Sequence, residues 1–377
     1  MSTTENVKKF KIILDEAKKA KLESLSTWYS FFKMREDPFS PNIPSDDLNF
    51  FVNQEEIVNS VIFDIGVAKR GIPLVSFIVG PMGSGKSSIL TYINTAMKQL
   101  SKQDPAYRFK GEFRRVEEMY ESDEETDDLE EQPQKWVTDS VGRKDYYFFD
   151  DANPVQITNM MQNFVATNYK LFTVNPKHVK SALERLNVTP NIFYLRPLKI
   201  HDAKEMLNRR IKRALLDNET KFRIENIVED SALKKMVKYC FGIPKLILKC
   251  ASTSLQLLRQ SHQEKRTDIG KITEELVELS CTRIKCIQAY NHYRIIGEHK
   301  STILMKIIEK EKTPTEISSE IKKDRTTVSR HLSDLRELGL VEYYQRGRES
   351  YYGATEPVKI LVEIDSMPKE KWPIGTD

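Results

Sequence analysis

Ser76-Phe77-Ile78-Val79-Gly80-Pro81-Met82-Gly83-Ser84-Gly85-Lys86-Ser87-Ser88-Ile89-Leu90 decides how the chain is read. An apolar run, predicted as a strand, enters a glycine-rich turn and leaves it into a stretch with helical spacing. The turn spells G-x-x-x-x-G-K-S, the P-loop, in the strand-then-helix context that the motif requires. Its glycines reach backbone conformations closed to other residues. The segment Gly80, Pro81, Met82, Gly83, Ser84, Gly85, Lys86, Ser87 and Ser88 can then curl its N–H groups around phosphate oxygens at a helix N-terminus, where the dipole favours an anion. Lys86 is a candidate binding and catalytic residue that brings a point charge to the β- and γ-phosphates, and the Ser87 hydroxyl is a candidate Mg²⁺ ligand. The expected cofactors are ATP and Mg²⁺.

Working outward, 377 residues allow two or three domains. With 59 basic and 55 acidic residues the net charge is only +4, so the placement of charge matters more than its sum. Charged content of 30%, rich in Lys and Glu, suggests a heavily solvated surface and hints at a thermophile. Cys240, Cys250, Cys281 and Cys286 show no C-x-x-C spacing and read as reduced thiols. No apolar run approaches a membrane span and the start is not a signal peptide, so no membrane partner and a cytoplasmic location are expected.

Upstream of the P-loop, residues 5–35 read as one or two helices, prolines at 38, 41 and 44 interrupt, and 49–66 read as another helix. Phe50 and Phe51 fit an adenine pocket or the core equally well. After the P-loop helix (86–101) comes a basic strand (108–116), then an acidic insertion (117–133) of the kind that is usually solvated. Tyr146-Tyr147-Phe148-Phe149-Asp150-Asp151 is an apolar strand ending in two carboxylates about sixty residues beyond the P-loop, the Walker B pattern. Asp150 is the candidate metal-holding residue, and Asp151 the candidate group that orients or deprotonates the attacking water. The next strand, 170–175, ends in Asn175, which is either a turn residue before Pro176 or a hydrogen-bonding partner of the γ-phosphate or the water. A strand at 192–198 and a helix at 201–216 follow, then a helical lid (201–262). In the lid, Lys245 stands in the first turn of a helix, where the dipole does not favour a cation. It is therefore a candidate sensor of nucleotide charge.

Residues 263–300 read as a helical connector, and 301–365 as a separate module. That module shows a helix around Ile303–Ile308, a second from Thr315 as candidate N-cap, and a third over 325–338 capped by Asp324 and ended by Gly339. Two alternating strands follow, joined by a tip, Gln345-Arg346-Gly347-Arg348-Glu349. Three helices and a basic hairpin make a winged helix-turn-helix, whose third helix enters the major groove of duplex DNA. Arg325, Thr326, Thr327, Ser329 and Arg330 are the expected base-facing positions, Val328, Leu332 and Leu335 the core, and Arg346 and Arg348 the phosphate or minor-groove contacts.

Together the two halves resemble the AAA+ ATPases with a C-terminal winged helix, the archaeal replication-initiator family related to origin-recognition subunits. The resemblance spans 45–360 and includes Asn175-Pro176-Lys177-His178-Val179-Lys180-Ser181-Ala182-Leu183, Leu207-Asn208-Arg209-Arg210-Ile211 and, at the sensor-2 position, Gly242-Ile243-Pro244-Lys245. Two departures stand out: Asp151 replaces the usual glutamate, which implies slow hydrolysis, and His178 stands where an arginine finger is common. Phe31-Phe32-Lys33-Met34-Arg35-Glu36-Asp37-Pro38-Phe39-Ser40 instead resembles the start of the helper AAA+ ATPases of secretion and transposition. The resemblance implies an α/β P-loop AAA+ core (46–200) with a parallel sheet, behind an N-terminal extension (1–45), followed by the helical lid and the winged helix. Three functions stay open. These are an ATP-switched, initiator-type binder of duplex DNA, an ATP-sensing transcription regulator, and a loader acting on a protein partner, with self-association through the core as a further expectation.

Overall fold

The computed structural model describes residues 34–40, 52–103, 109–116, 144–164, 167–215, 223–265 and 271–373. The acidic insertion, Phe50, Phe51 and nearly all of the expected N-terminal helix lie outside the described residues.

The core begins with helix α1 (Glu55–Lys69), strand β1 (Leu74–Val79) and helix α2 (Lys86–Gln103), with the P-loop between the last two. It continues through β2 (Gly111–Arg115), β3 (Tyr146–Asp150), α3 (Pro154–Asn163), β4 (Tyr169–Val174), α4 (Pro176–Arg185) and β5 (Asn191–Tyr194). The strands form one parallel sheet in the order β2-β3-β4-β1-β5. The strand that leads to Asn175 therefore lies beside the P-loop strand.

A parallel sheet covered on both faces needs strands apolar on both faces. β3 satisfies this with consecutive aromatics. Tyr146 and Phe148 join Ile78 and Leu171 against Ile57, Val61, Ile89 and Ile93 of α1 and α2. Tyr147 and Phe149 turn the other way, with Phe77 and Phe172, against Ile157, Met160, Val179 and Ala182 of α3 and α4. Period-two alternation thus divides one short segment between two cores. α3 and α4 each start on an asparagine cap, Asn153 and Asn175, followed by proline, which supplies the fixed φ of a first helical turn.

The lid comprises α5 (Ile200–Ala214), α6 (Asp230–Tyr239), α7 (Pro244–Lys265), α8 (Glu274–Arg283) and α9 (Cys286–His292). Residues 263–300, expected as a connector, thus supply two packed helices, with Val277, Cys281, Cys286 and Ala289 fully buried. Charged residues at the intervening positions hid that apolar face in the sequence. Met34 and Phe39 are buried against the lid, where Arg35 N–H donates to the Ala214 carbonyl over 2.8 Å.

The C-terminal module holds α10 (Glu298–Lys306), α11 (Pro314–Ile321), α12 (Arg325–Glu337) and the antiparallel pair β6 (Val341–Arg346) and β7 (Glu349–Ala354). Thr313, not Thr315, caps α11. Its hydroxyl accepts from Glu316 N–H while Glu316 accepts from Thr313 N–H, and Pro314 takes the first helical position. Asp324 caps α12 by accepting from Thr327 N–H at 3.1 Å, and Gly339 follows it at φ 71°, both as expected. One helix was not anticipated: α13 (Glu356–Asp365) packs against α9 of the lid and α4 of the core, with Val358, Ile360, Leu361 and Ile364 buried.

Candidate nucleotide site and DNA-facing surface

At the C-terminal edge of β1 the P-loop turns through Gly83 at φ 76° and Gly85 at φ 102°. A Cβ on Gly83 would lie 2.7 Å from Cβ of Lys245, so the lid closes tightly over this point. Lys86, nearly buried, donates to the carbonyls of Gly80 at 2.7 Å and Pro81 at 3.3 Å. Burial pulls its ammonium below the usual lysine pKa, against the opposing pull of Asp151, Glu363 and Asp150. Ser84 Oγ is buried without a hydrogen-bond partner, while Ser87 and Ser88 are exposed in the first turn of α2.

The two Walker B carboxylates have different settings. Asp150 is buried, and its Oδ1 accepts from Thr173 Oγ1 at 2.7 Å. The same Thr173 hydroxyl oxygen accepts from Asp151 N–H at 2.6 Å. Asp151 takes φ 58° and is exposed. One hydroxyl from β4 therefore holds the first carboxylate and the backbone of the second, leaving the Asp151 side chain free to face solvent. Thr173 was overlooked in the sequence because a threonine inside an apolar strand reads as an ordinary strand residue. Asn175 takes the capping role and keeps its amide for the site. Its Oδ1 caps α4 on Lys177 N–H at 3.2 Å, and its Nδ2 points into the site.

What Asn175 meets there is Glu363 of α13. Asn175 Nδ2 donates to Glu363 Oε1 at 2.5 Å, and the P-loop N–H of Met82 donates to Glu363 Oε2 at 2.5 Å. A carboxylate from the C-terminal module thus sits in the anion cradle, itself only 7% exposed. The available signal was a lone carboxylate in the apolar run Val358–Ile364, but nothing in the linear order connects it to Met82.

At the other end of α13, Glu356 accepts from Lys245 Nζ at 2.7 Å and Lys249 Nζ at 3.0 Å. Burial raises the Glu356 carboxyl, but the two lysines outweigh it and the net pKa falls. Lys245, the candidate sensor of nucleotide charge, therefore lies against the P-loop, with its stem walling Gly83 and its charge taken by Glu356. Lys177 of α4 adds a third tie, to Glu309 at 2.8 Å. His178, in the place of a finger arginine, is half-buried; burial, with Lys177 beside it, lowers its pKa.

The residues present fit a Mg-nucleotide. The cradle already binds a carboxylate through a backbone N–H, Ser84 offers a buried unpartnered hydroxyl, and Ser87 and Asp150 supply oxygen donors of the kind Mg²⁺ prefers.

On the winged helix, Arg325, Thr326 and Arg330 are exposed and Thr327 and Ser329 half-exposed, while Val328, Leu332 and Leu335 are buried. The two wing arginines differ. Arg346 ends β6 rather than lying in the loop; it pairs with Glu311 at 2.5 Å and stands 5.2 Å from the ring of Tyr351. Arg348 is exposed in the turn beside Gly347.

Residues 298–343 match the model of the ArsR family of bacterial regulatory proteins. An uncharacterized HTH-type transcriptional regulator of Methanocaldococcus jannaschii is 25% identical over 179 residues, 47% of this chain and 42% of that protein. The chain thus spans less than half the length of that relative. Among solved structures, Drosophila ORC bound to DNA is similar over 90% of this chain and 92% of that one, at 11% identity and a TM-score of 0.42. The ORC2 protein of Aeropyrum pernix is similar over 88% and 96%, at 10% identity and 0.41. A variant of Thermotoga maritima RuvB is similar over 83% and 95%, at 16% identity and 0.39. The fold is an AAA+ core followed by a winged helix-turn-helix. The strand order, the P-loop and the helix-turn-helix match carry that assignment. Among the described residues no helix is long and apolar enough to cross a membrane.

Proposed function

We propose that the protein is an ATP-responsive binder of duplex DNA in which Glu363 couples the nucleotide site to the winged helix. The observation that carries this reading is the Glu363 carboxylate on the Met82 N–H, at the point where the P-loop motif binds phosphate. Bound ATP with Mg²⁺ supplies a polyphosphate anion and a bond open to hydrolysis. The loop N–H groups, Lys86, Ser87 and Asp150 hold it, Asp151 orients the attacking water, and Asn175 offers its amide to the same space. A carboxylate and a phosphate cannot share the Met82 N–H, because both are anions that need the one donor. Nucleotide binding therefore displaces Glu363 and frees this end of α13, while Glu356 keeps the other end on the lid through Lys245 and Lys249. The winged helix then moves relative to the core, and its grip on DNA changes.

The test is Glu363→Gln, which keeps the shape of the side chain and removes its charge. ATP should bind roughly tenfold more tightly, about 1.4 kcal/mol, and the ratio of DNA affinity with and without ATP should shrink toward one. Unchanged ATP affinity together with an unchanged ratio overturns the coupling.

Two roles follow from such a switch. The resemblance over 45–360 supports origin recognition of the initiator type. The ArsR-family match and the relative's description as a transcriptional regulator favour promoter control instead. Mapping the bound sites across the genome separates them: a few origin-like loci support the first, promoters the second. Loading of a protein partner is the third role; it is supported if duplex DNA neither binds nor responds to nucleotide.

A further inference from the structure

The four cysteines are every cysteine the chain has, and they fall at 240, 250, 281 and 286, without metal-motif spacing. The lid brings three of them to one point and sets the fourth, Cys286, beside Cys240. Cys240 follows the last residue of α6, Cys250 lies in α7, Cys281 in α8, and Cys286 opens α9. Each is fully buried. The sulfurs of Cys240, Cys250 and Cys281 lie within 4.8 Å of one another, with Cys250 and Cys281 3.2 Å apart. Cys286 interacts side chain to side chain with Cys240.

Buried free cysteines ordinarily serve as small apolar side chains, and nothing in that role draws them to one point. A disulfide would leave two of the four unexplained, and its sulfurs would be about 2.05 Å apart. A zinc ion bound by thiolates at about 2.3 Å sets its sulfurs roughly 3.8 Å apart, the scale of this cluster. We propose that Cys240, Cys250, Cys281 and Cys286 form a closed tetrathiolate site for a single structural zinc ion.

The surroundings suit that assignment. Lys285 at φ 64° makes the reversal between α8 and α9 that brings Cys286 back beside Cys240. The ion would fasten α6, α7, α8 and α9 at one point. α9 packs on α13, and its Gln288 lies against Gly339 at the end of α12. The site would therefore brace the joint between lid and winged helix, apart from the nucleotide cradle.

The decisive measurement is elemental analysis of the purified full chain. Zinc near one ion per chain is expected, with release on titration by an organomercurial in step with four thiols. Refolding with Co²⁺ in place of zinc should give intense thiolate-to-metal absorption near 350 nm and the visible bands of a tetrahedral ion. Cys286→Ser and Cys250→Ser should each lower zinc content and melting temperature. If either fails to fold, the parent chain's zinc content and Co²⁺ spectrum still decide. Background zinc with four free thiols in denaturant overturns the proposal. So does a mass two hydrogens low, which means a disulfide, and so does iron with acid-labile sulfide.

Discussion

The nucleotide cradle collects side chains from residues 80–88, 150–151, 173–175 and 363, and the hydrogen bond between Met82 and Glu363 joins positions 281 apart in sequence. The candidate DNA-facing surface takes its caps, third helix and wing from residues 313–354. This difference separates what each region depends on. Val328, Leu332 and Leu335 are buried on the inner face of the same helix that exposes Arg325 and Arg330. Glu363 reaches the candidate cradle only when core and C-terminal module are docked, so occupancy of the Met82 N–H reports on that docking. A site built across two modules can act as a switch, whereas one built within a module serves as a fixed reader.

Variants can break this comparison or sharpen it. The largest effect belongs to Lys86→Ala, which removes the cation held at the loop carbonyls. ATP affinity by calorimetry should fall by on the order of a hundredfold or more, with DNA binding in the absence of nucleotide kept. An equal loss of nucleotide-free DNA binding would mean that the two regions are not separable.

Asp151→Asn comes next. It should slow hydrolysis by on the order of a hundredfold while Mg-ATP still binds through Asp150. Single-turnover measurement checks this, and unchanged turnover removes Asp151 from the water-orienting role.

On the DNA side, Arg330→Ala should flatten preference for the native site by about 1–3 kcal/mol with modest loss on random duplex. Changing Arg346 and Arg348 together to alanine should weaken both duplexes about equally and reduce the salt slope by roughly 1–2. Arg348 should account for more of that change, because Arg346 is already engaged by Glu311. Fluorescence anisotropy across a salt series distinguishes the two patterns.

The smallest effect is expected from Lys177→Ala. The Lys177–Glu309 pair is partly exposed, so its loss should cost under about 1 kcal/mol. ATP affinity should rise only slightly, by far less than in Glu363→Gln. A larger rise would transfer the coupling from Glu363 to this exposed tie.

Much of this molecule was legible in its sequence because the relevant signals are local. The P-loop is a contiguous spelling, β3 announces itself by four aromatics before two aspartates, and Asp324 and Gly339 bracket a helix by chemistry that acts within one turn. Thr313 rather than Thr315 is the cap because its capping box reaches Glu316 across Pro314, which takes the first helical position. Residues 263–300, which read as a charged helical connector, carry a narrow apolar face of α8 and α9 beneath many charges, and that face is not evident from the sequence.

By itself, then, the sequence determined the P-loop, the strand-and-helix alternation of the core and the helix-turn-helix with its basic wing, since each depends on residues within a few turns of one another. Only the tertiary structure decided that Thr173 steadies both carboxylates, that Glu363 enters the phosphate cradle, and that cysteines without motif spacing meet inside the lid. Those pairings come from how packed layers bring distant segments together. The hydrophobic effect that drives such packing is non-directional, so no short stretch of sequence carries a signal for the polar groups it places side by side.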